Sequence, residues 1–335
     1  MYQAIAWIDG ALRLLDQRQL PHETVYLDYY TPEEVATAIR EMVVRGAPSI
    51  GITAAYGMAL AAQRAPDAAS LQVAAACLRA ARPTAVNLFW AVDRMLVAAQ
   101  PVLDDPAALP AALLAEAHVI AELERANNLA IGQHALPLVP EGAHFIHHCN
   151  TGPLATGEIG TALGVIWAAH QAGKRVHVYV DETRPRLQGA RLTTWELQRM
   201  GIPHTLIVDG AAAHIMRTRQ VDLCVVGCDR VAANGDTANK IGTYALALAA
   251  HVHGVPFYVV GPTTSIDMAL PTGDDIAIEE RAAEEVTQVG TCSITPEGVQ
   301  VANIAFDVTP ARYITAIITE RGVVYPPFTK NLTGF

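Results

Sequence analysis

Residues 144–152 read HFIHHCNTG, a short run with an apolar centre that ends in a polar turn closed by glycine. Four further runs of this kind follow at 175–180, 204–208, 223–227 and 256–260, separated by segments of helical periodicity. Short β-branched runs alternating with helical segments predict parallel strands joined by crossover helices. Polar residues come immediately after each run: Cys149-Asn150-Thr151-Gly152, Asp181-Glu182-Thr183-Arg184, Asp209-Gly210, Cys228-Asp229-Arg230 and Gly261-Pro262. All strand ends of an open parallel sheet share one edge, so these residues are expected to converge on a single rim. Loops are polar in any protein, and the placement alone only nominates a site.

Upstream of 144 the pattern is helical. Thr31-Pro32-Glu33-Glu34 supplies a capping Thr, a first-turn Pro and a Glu at the third helical position. Ala-rich periodic segments follow at 53–63, 71–81, 86–100 and 111–128. The fold class expected is α/β: a mainly helical N-terminal domain over 1–128, with a small strand pair around 4–15, then a Rossmann-like parallel-sheet domain over 129–335. Within the second domain Thr193 is expected to cap a helix that Gly201 ends.

With 335 residues, 51% of them apolar, the chain can bury more than one core. Its formal charge of -10 disfavours nucleic acid and anionic membrane as partners, so any phosphate must be held by a few local cations. The odd count of 5 cysteines fits a reducing compartment, and no secretory signal is visible over 1–10, which makes the cytoplasm the expected location. The stretch 241–266 carries no Asp, Glu, Lys or Arg, but His251, His253, Gly254 and Pro256 interrupt it as a helix end, a turn and a new strand would.

Cys149 stands between a strand and a glycine turn that leads into a helical stretch from 160 to 169, where a helix N-terminus favours a thiolate. A buried structural cysteine fits that position equally well. Asp229 follows the apolar run Val225-Val226-Gly227-Cys228, a setting that suits a proton donor, the alternatives being a solvated loop residue or a partner for Arg230. Lys240, close to an expected helix over 241–250, is unfavourable for the dipole unless an anion sits there too, which nominates Asn239 and Lys240 as substrate clamps. Arg45-Gly46-Ala47-Pro48 reads as the end of one helix and the start of the next, and Arg82-Pro83-Thr84 as a similar break; each offers a guanidinium fork. His147 and His148 point to opposite faces of a strand, and with His144 they lack zinc spacing, so no metal is expected. Cys224 and Cys228 read as core fillers. The phosphate-loop, dinucleotide, serine-hydrolase and HExxH patterns are absent, and no cofactor is expected.

Six blocks in order carry a family signature: RGAPSIG (45–51), RPTAVNLFWA (82–91), HCNTGPLAT (148–156), DETRPRLQGARLT (181–193), GCDRVAANGDTANKIGTY (227–244) and AFDVTP (305–310). The chain resembles the S-methyl-5-thioribose-1-phosphate isomerases of methionine salvage. The resemblance implies a helical domain joined to a Rossmann-like domain, a homodimer, a small-molecule sugar phosphate as substrate, and neither metal nor cofactor. It further implies that Cys149 and Asp229 are catalytic, with Asp229 as proton donor, and that Arg45, Gly46, Ala47, Arg82, Gln188, Asn239 and Lys240 contact substrate. Glu158 departs from the family pattern, which usually has Gly followed by an aromatic there. Two other readings stay open: a related isomerase for ribose 1,5-bisphosphate or 5-deoxyribose 1-phosphate, and a non-catalytic regulatory subunit of the translation-initiation exchange factor superfamily.

Overall fold

The computed structural model describes residues 2–82 and 85–334. It divides into two compact units, Met1–Asn127 with Gly152–Gly160, and Asn128–Thr151 with Thr161–Phe335.

The first unit opens with strands β1 (Ile5–Ile8), β2 (Ala11–Leu15) and β3 (Tyr26–Tyr29) in one antiparallel sheet, so the expected strand pair is a trio. Helices α1 (Pro32–Arg40), α2 (Ala47–Arg64), α3 (Ala68–Ala81) and α4 (Val86–Ala99) follow, then α5 (Leu109–Ala135), whose last turns count with the second unit, and the short α6 (Pro153–Thr156). Thr31 and Glu34 form the reciprocal cap expected of them, an arrangement contributing about 1 kcal/mol. Helix α2 is buried without a break from Ser49 to Ala62, as befits a segment apolar on all sides, and Gly57 lets Val35 and Leu78 approach it. Arg45 does not close a helix: α1 ends at Arg40, and the chain turns through Met42 at φ 59° before α2 begins.

The second unit carries β4 (Ala143–His147), β5 (Val176–Asp181), β6 (His204–Ile207), β7 (Leu223–Val226), β8 (Arg230–Ala232), β9 (Thr237–Lys240), β10 (Phe257–Val260) and β11 (Ile266–Asp267). A small hairpin of β12 (Gln288–Val289) and β13 (Cys292–Ser293) comes next, then β14 (Phe306–Thr309), β15 (Ala316–Thr319) and β16 (Gly322–Val324). Its helices are α7 (Ala162–Gln171), α8 (Thr194–Met200), α9 (Ala212–Thr218), α10 (Thr243–His253), α11 (Glu284–Thr287) and α12 (Phe328–Asn331). The main sheet runs β16-β15-β10-β7-β4-β5-β6, parallel except for β16, and all five sequence-predicted strands lie in it. Alternate residues supply two cores, Phe145, Val178 and Val225 on one face, Ile146, Tyr179 and Cys224 on the other. From β4 the chain proceeds outward through β5 and β6, then returns to β7 on the other side of β4. The strand order therefore reverses between β4 and β7, the position where ligands bind beyond the carboxyl ends of open parallel sheets.

Two readings are corrected here. Thr193 is not a cap: the π-type turn Gly189–Thr193 runs directly into α8, and the Thr193 hydroxyl is used elsewhere, although Gly201 does end α8 at φ 68°. Residues 237–240 are not a turn entering a helix; they form β9, antiparallel to β14 in the second sheet β11-β8-β9-β14, and α10 begins only at Thr243. Periodicity could not show this, because three of the four residues of TANK are polar and all four are buried by their sheet partners. The uncharged stretch 241–266 divides into α10, the Gly254 turn and β10, and no helix among the described residues is long and apolar enough to cross a membrane.

Candidate active site

Cys149 and Asp229 leave adjacent strands. The β4–β7 register pairs His147 with Val225, so the two chains emerge side by side, about 5 Å apart, at the point where the strand order reverses.

Cys149 is buried and has φ 67°, a left-handed backbone that costs a non-glycine residue about 1–3 kcal/mol and persists only where its surroundings impose it. Both of its peptide groups are held. Its N–H donates to Thr183 Oγ1 (2.8 Å), and its carbonyl accepts from Thr193 Oγ1 (2.7 Å). Thr183 is itself left-handed at φ 63°, and Asp209 brackets it by accepting the N–H groups of Thr183 (2.7 Å) and Arg184 (2.8 Å). Asn150 donates to Thr193 and to the fully buried Glu196. Thr151 accepts the Leu163 N–H (2.9 Å) at the start of α7 and so caps that helix from a distance.

The Asp229 N–H donates to Ala238 O (2.9 Å), which joins the carboxylate's segment to β9. Arg230, one partner considered for it, pairs with Asp267 at 2.6 Å. Cys228, beside Asp229, packs against Gly261, where any Cβ would overlap its sulfur; burial and the Asp229 charge push this thiol up to about 12. Cys228 is thereby kept as a neutral thiol.

Asn239 and Lys240 are both buried. Asn239 donates to Thr243 Oγ1 (3.0 Å). Lys240 Nζ donates to Ala305 O (2.7 Å) and lies 4.1 Å from the centre of the Phe306 ring. Its ammonium therefore points into β14 and is not placed at a helix start. Burial draws its pKa below the ordinary lysine value, while Cys149 and Asp229, the strongest anionic influences on it, act the other way. The three candidate groups thus form one electrostatic cluster. Gln188 is also buried, and its Oε1 has no hydrogen-bond partner among the described residues, an acceptor that a substrate hydroxyl would satisfy.

In the first unit, Gly46 (φ 98°) sits so close to Ala155 that no Cβ could be accommodated. Ala47 opens α2 with no side chain capping its first turn. Arg45 Nε donates to Gln17 (3.1 Å), and Gln17 in turn donates to Leu154 O (2.8 Å). Arg82 follows the last turn of α3, and Pro83 and Thr84 lie outside the described residues. Glu158, the departure from the family pattern, is paired with Arg125 at 3.1 Å.

Sequence reasoning passed over His148, Asp181 and Asp209 as functional residues. His147 and His148 do point to opposite faces, as expected, but His148 Nδ1 lies 2.9 Å from Asp181 Oδ2 and its Nε2 lies 2.9 Å from Ile241 O. His148, Asp181 and Asp209 bring potential ligand atoms within 4.8 Å of one another. Both nitrogens of His148 and both carboxylate oxygens of Asp209 are already engaged in the hydrogen bonds given above. The role of AFDVTP was missed as well: these residues form β14 and cradle Lys240.

Residues 43–326 match the model of the initiation factor 2 subunit family. The chain is 56% identical to a methylthioribose-1-phosphate isomerase of Synechococcus sp., over 99% of this chain and 97% of that protein. It is 54% identical to methylthioribose-1-phosphate isomerase 2 of Pseudothermotoga lettingae, with 99% and 97% covered. Among solved structures it is similar to the 5-methylthioribose 1-phosphate isomerase of Pyrococcus horikoshii (TM-score 0.93, 44% identity, covering 100% of this chain and 95% of that one). It is also similar to a structure described as the delta subunit of translation initiation factor eIF-2B from A. fulgidus (TM-score 0.92, 40% identity, 100% of both chains). With two relatives above half identity over nearly their whole length and a family model matched across most of the chain, this chain belongs to the methylthioribose-1-phosphate isomerases of the initiation factor 2 subunit family.

Proposed function

We propose that this chain is an aldose–ketose isomerase of methionine salvage that converts 5-methylthioribose 1-phosphate into 5-methylthioribulose 1-phosphate, with Cys149 and Asp229 as its chemical pair. The observation that carries the reading is the emergence of a thiol and a carboxyl from neighbouring strands where the strand order reverses, beside a buried ammonium.

The phosphate on C1 prevents the ring from opening directly to an aldehyde. Asp229 donates a proton to the ring oxygen as the C1–O bond to it breaks. Hydrogen then moves from C2 to C1 and the C2 hydroxyl gives its proton back to Asp229, so C2 is oxidised to the ketone, C1 is reduced by the same two electrons and the acid is restored; no external oxidant or reductant is needed. Burial strengthens the interaction of Lys240 and Cys149 with charge developing in this step. Gln188, Asn239 and Lys240 contact substrate in this reading, as do Arg45, Gly46, Ala47 and Arg82 of the first unit, the latter group on the strength of the family resemblance. The reading includes a cytoplasmic homodimer, supported by the resemblance and by five cysteines none of which forms a disulfide.

The likeness to the structure described as an initiation-factor subunit favours a second reading, a regulatory subunit that binds a sugar phosphate without turning it over. One assay separates these possibilities. Turnover is measured with 5-methylthio-, 5-deoxy- and 5-phospho-ribose 1-phosphates, and Cys149 alkylation is followed with and without each. The methylthio compound is expected to turn over fastest and to protect Cys149. Preferred turnover of the bisphosphate would overturn the substrate assignment, and protection without turnover of any of them would establish the regulatory reading. Deuterium uptake at C1 from heavy water distinguishes proton transfer from hydride transfer.

A further inference from the structure

We infer that His148 is a buried imidazolium, paired with the Asp181 carboxylate, and that this ion pair is the positioning element that fixes Cys149 relative to Lys240. The inference deepens the proposed function and rests on it for the identity of the reacting groups.

Hydrogen-bond accounting leads to the charge. Ile241 O can only accept, so Nε2 of His148 carries a proton. Between Nδ1 and Asp181 Oδ2, at 2.9 Å, there is one further proton, which makes the pair either imidazolium and carboxylate or imidazole and carboxylic acid. The surroundings decide between them. Asp209 and Asp307 each take two backbone N–H donors beside this pair, those on Asp307 coming from Gly242 and Tyr244; burial raises the pKa of Asp181 and of Asp307, and a charge on His148 opposes that rise at both. Against them stands burial itself; the neighbouring His147, whose own burial lowers its pKa, adds no opposing charge. A cation placed among acidic side chains that already take N–H donors is the better arrangement: burial lowers the His148 pKa, and the hydrogen bond and charge of Asp181 outweigh it and raise the value.

The position of the ring gives the role. His148 immediately follows β4 and immediately precedes Cys149. Through Nδ1 it grips the end of β5, two residues before Thr183, whose hydroxyl holds the Cys149 N–H. Through Nε2 it grips Ile241, next to Lys240, and the ring lies so close to Gly242 that a Cβ there would sit 2.8 Å from Cε1. Asp229 is tied to the same strand by its bond to Ala238. One charged ring therefore joins the three segments that carry Cys149, its Thr183 clamp and Lys240. The sequence neither requires nor forbids this, since a histidine before a cysteine has no pattern of its own.

The test uses the full-length protein. Side-chain nitrogen NMR of the histidines at about pH 7.5, with His148 assigned by its loss in His148→Gln, is expected to show both ring nitrogens protonated where an unperturbed histidine of pKa ~6.5 is neutral. A single unprotonated ring nitrogen at that pH overturns the inference, and this measurement needs no substrate; if His148→Gln does not fold, the His148 signal is assigned from the short distances of its ring protons to Gly242 in the wild-type protein. In the second arm, His148→Gln and Asp181→Asn are each expected to lower kcat on the order of 100-fold with KM changed by no more than about threefold, because the reacting groups are displaced while the clamps remain. The double variant is expected to be no worse than either single one. Additive losses, or near-wild-type kcat in a folded Asp181→Asn protein, overturn the positioning role. The NMR arm is independent of the substrate, so a wrong substrate and a wrong charge state are read separately.

Discussion

His147 and His148 are consecutive, both buried, and leave β4 on opposite faces of the sheet. His147 has Nδ1 2.8 Å from Val225 O and Nε2 3.4 Å from the Thr151 hydroxyl. A carbonyl and a hydroxyl can be satisfied by a neutral ring, and burial takes its pKa down to about 4. His148 has a carboxylate where His147 has the hydroxyl, and that single partner shifts its pKa in the opposite direction. The lesson concerns the two faces as wholes. On the His147 face, polar groups serve only to close their own hydrogen bonds above the core of Phe145, Val178 and Val225. His148 instead meets an ionisable partner, and beyond the strand ends the chain holds left-handed backbone at Cys149 and Thr183 and leaves the Gln188 acceptor without a hydrogen bond among the described residues. A protein spends stability in this way where it needs chemistry.

The largest effect expected lies at the rim where these faces end. Asp229→Asn keeps the shape but loses the transferable proton, and should lower kcat by about 10²–10⁴-fold with KM nearly unchanged. Steady-state kinetics settles it, and turnover like the wild type would remove Asp229 from the mechanism. Next comes Gly189→Ala on the His148 face. Any Cβ there overlaps the Asp181 carbonyl oxygen and crowds Thr183 Oγ1, so the backbone under Cys149 must move. Denaturant unfolding should show a loss of about 3 kcal/mol. Gly132→Ala, which meets only the Ala168 side chain and the Gly164 carbonyl, provides the contrast. Equal losses at both glycines would erase the difference between a clamped loop and an ordinary helix contact.

How much of this was legible follows from which signals are local. Strand ends, the Thr31 cap and the helical first unit could be read because periodicity and capping need only neighbouring residues. Cys149 and Asp229 could be nominated because each follows an apolar strand, and strand ends gather on one edge whatever the strand order. That order, which makes β4 and β7 neighbours, depends on long-range pairing that no window reveals. The same holds for Lys240: its β-strand and its cradle at Ala305 and Phe306 are separated by about sixty residues, so a helix start was inferred where an interior strand exists. His148 was set aside because zinc spacing was the only function tested for it, whereas its actual partner, Asp181, is on another strand.

The third expected effect comes from pH, and the two histidines give it opposite signs. His147 in the fold has a pKa of about 4, below its ordinary 6.5, so the unfolded chain binds the proton first as pH falls. Its contribution is flat above 6.5, and stability declines as pH drops through the interval, by about 3 kcal/mol in total near pH 4. His148 is raised, so its contribution is present below 6.5 and is lost as pH climbs through its higher folded value. Unfolding measured across pH should therefore weaken on both sides, and His147→Gln should flatten the acidic limb alone. An acidic limb unchanged in that variant would mean that His147 is not held neutral.

Gln188→Leu should produce the smallest change and separates structure from function most directly. An unpaired buried acceptor costs about 1–3 kcal/mol, so removing the amide should leave stability unchanged or raise it by about 1 kcal/mol. If Oε1 receives a substrate hydroxyl, the same change should raise KM about tenfold, the value of one lost hydrogen bond, with kcat nearly constant. Opposite movements of Tm and KM are what an unsatisfied acceptor reserved for a ligand predicts. A fall in Tm with KM unmoved would show that Gln188 belongs with His147 among the residues that only hold the fold.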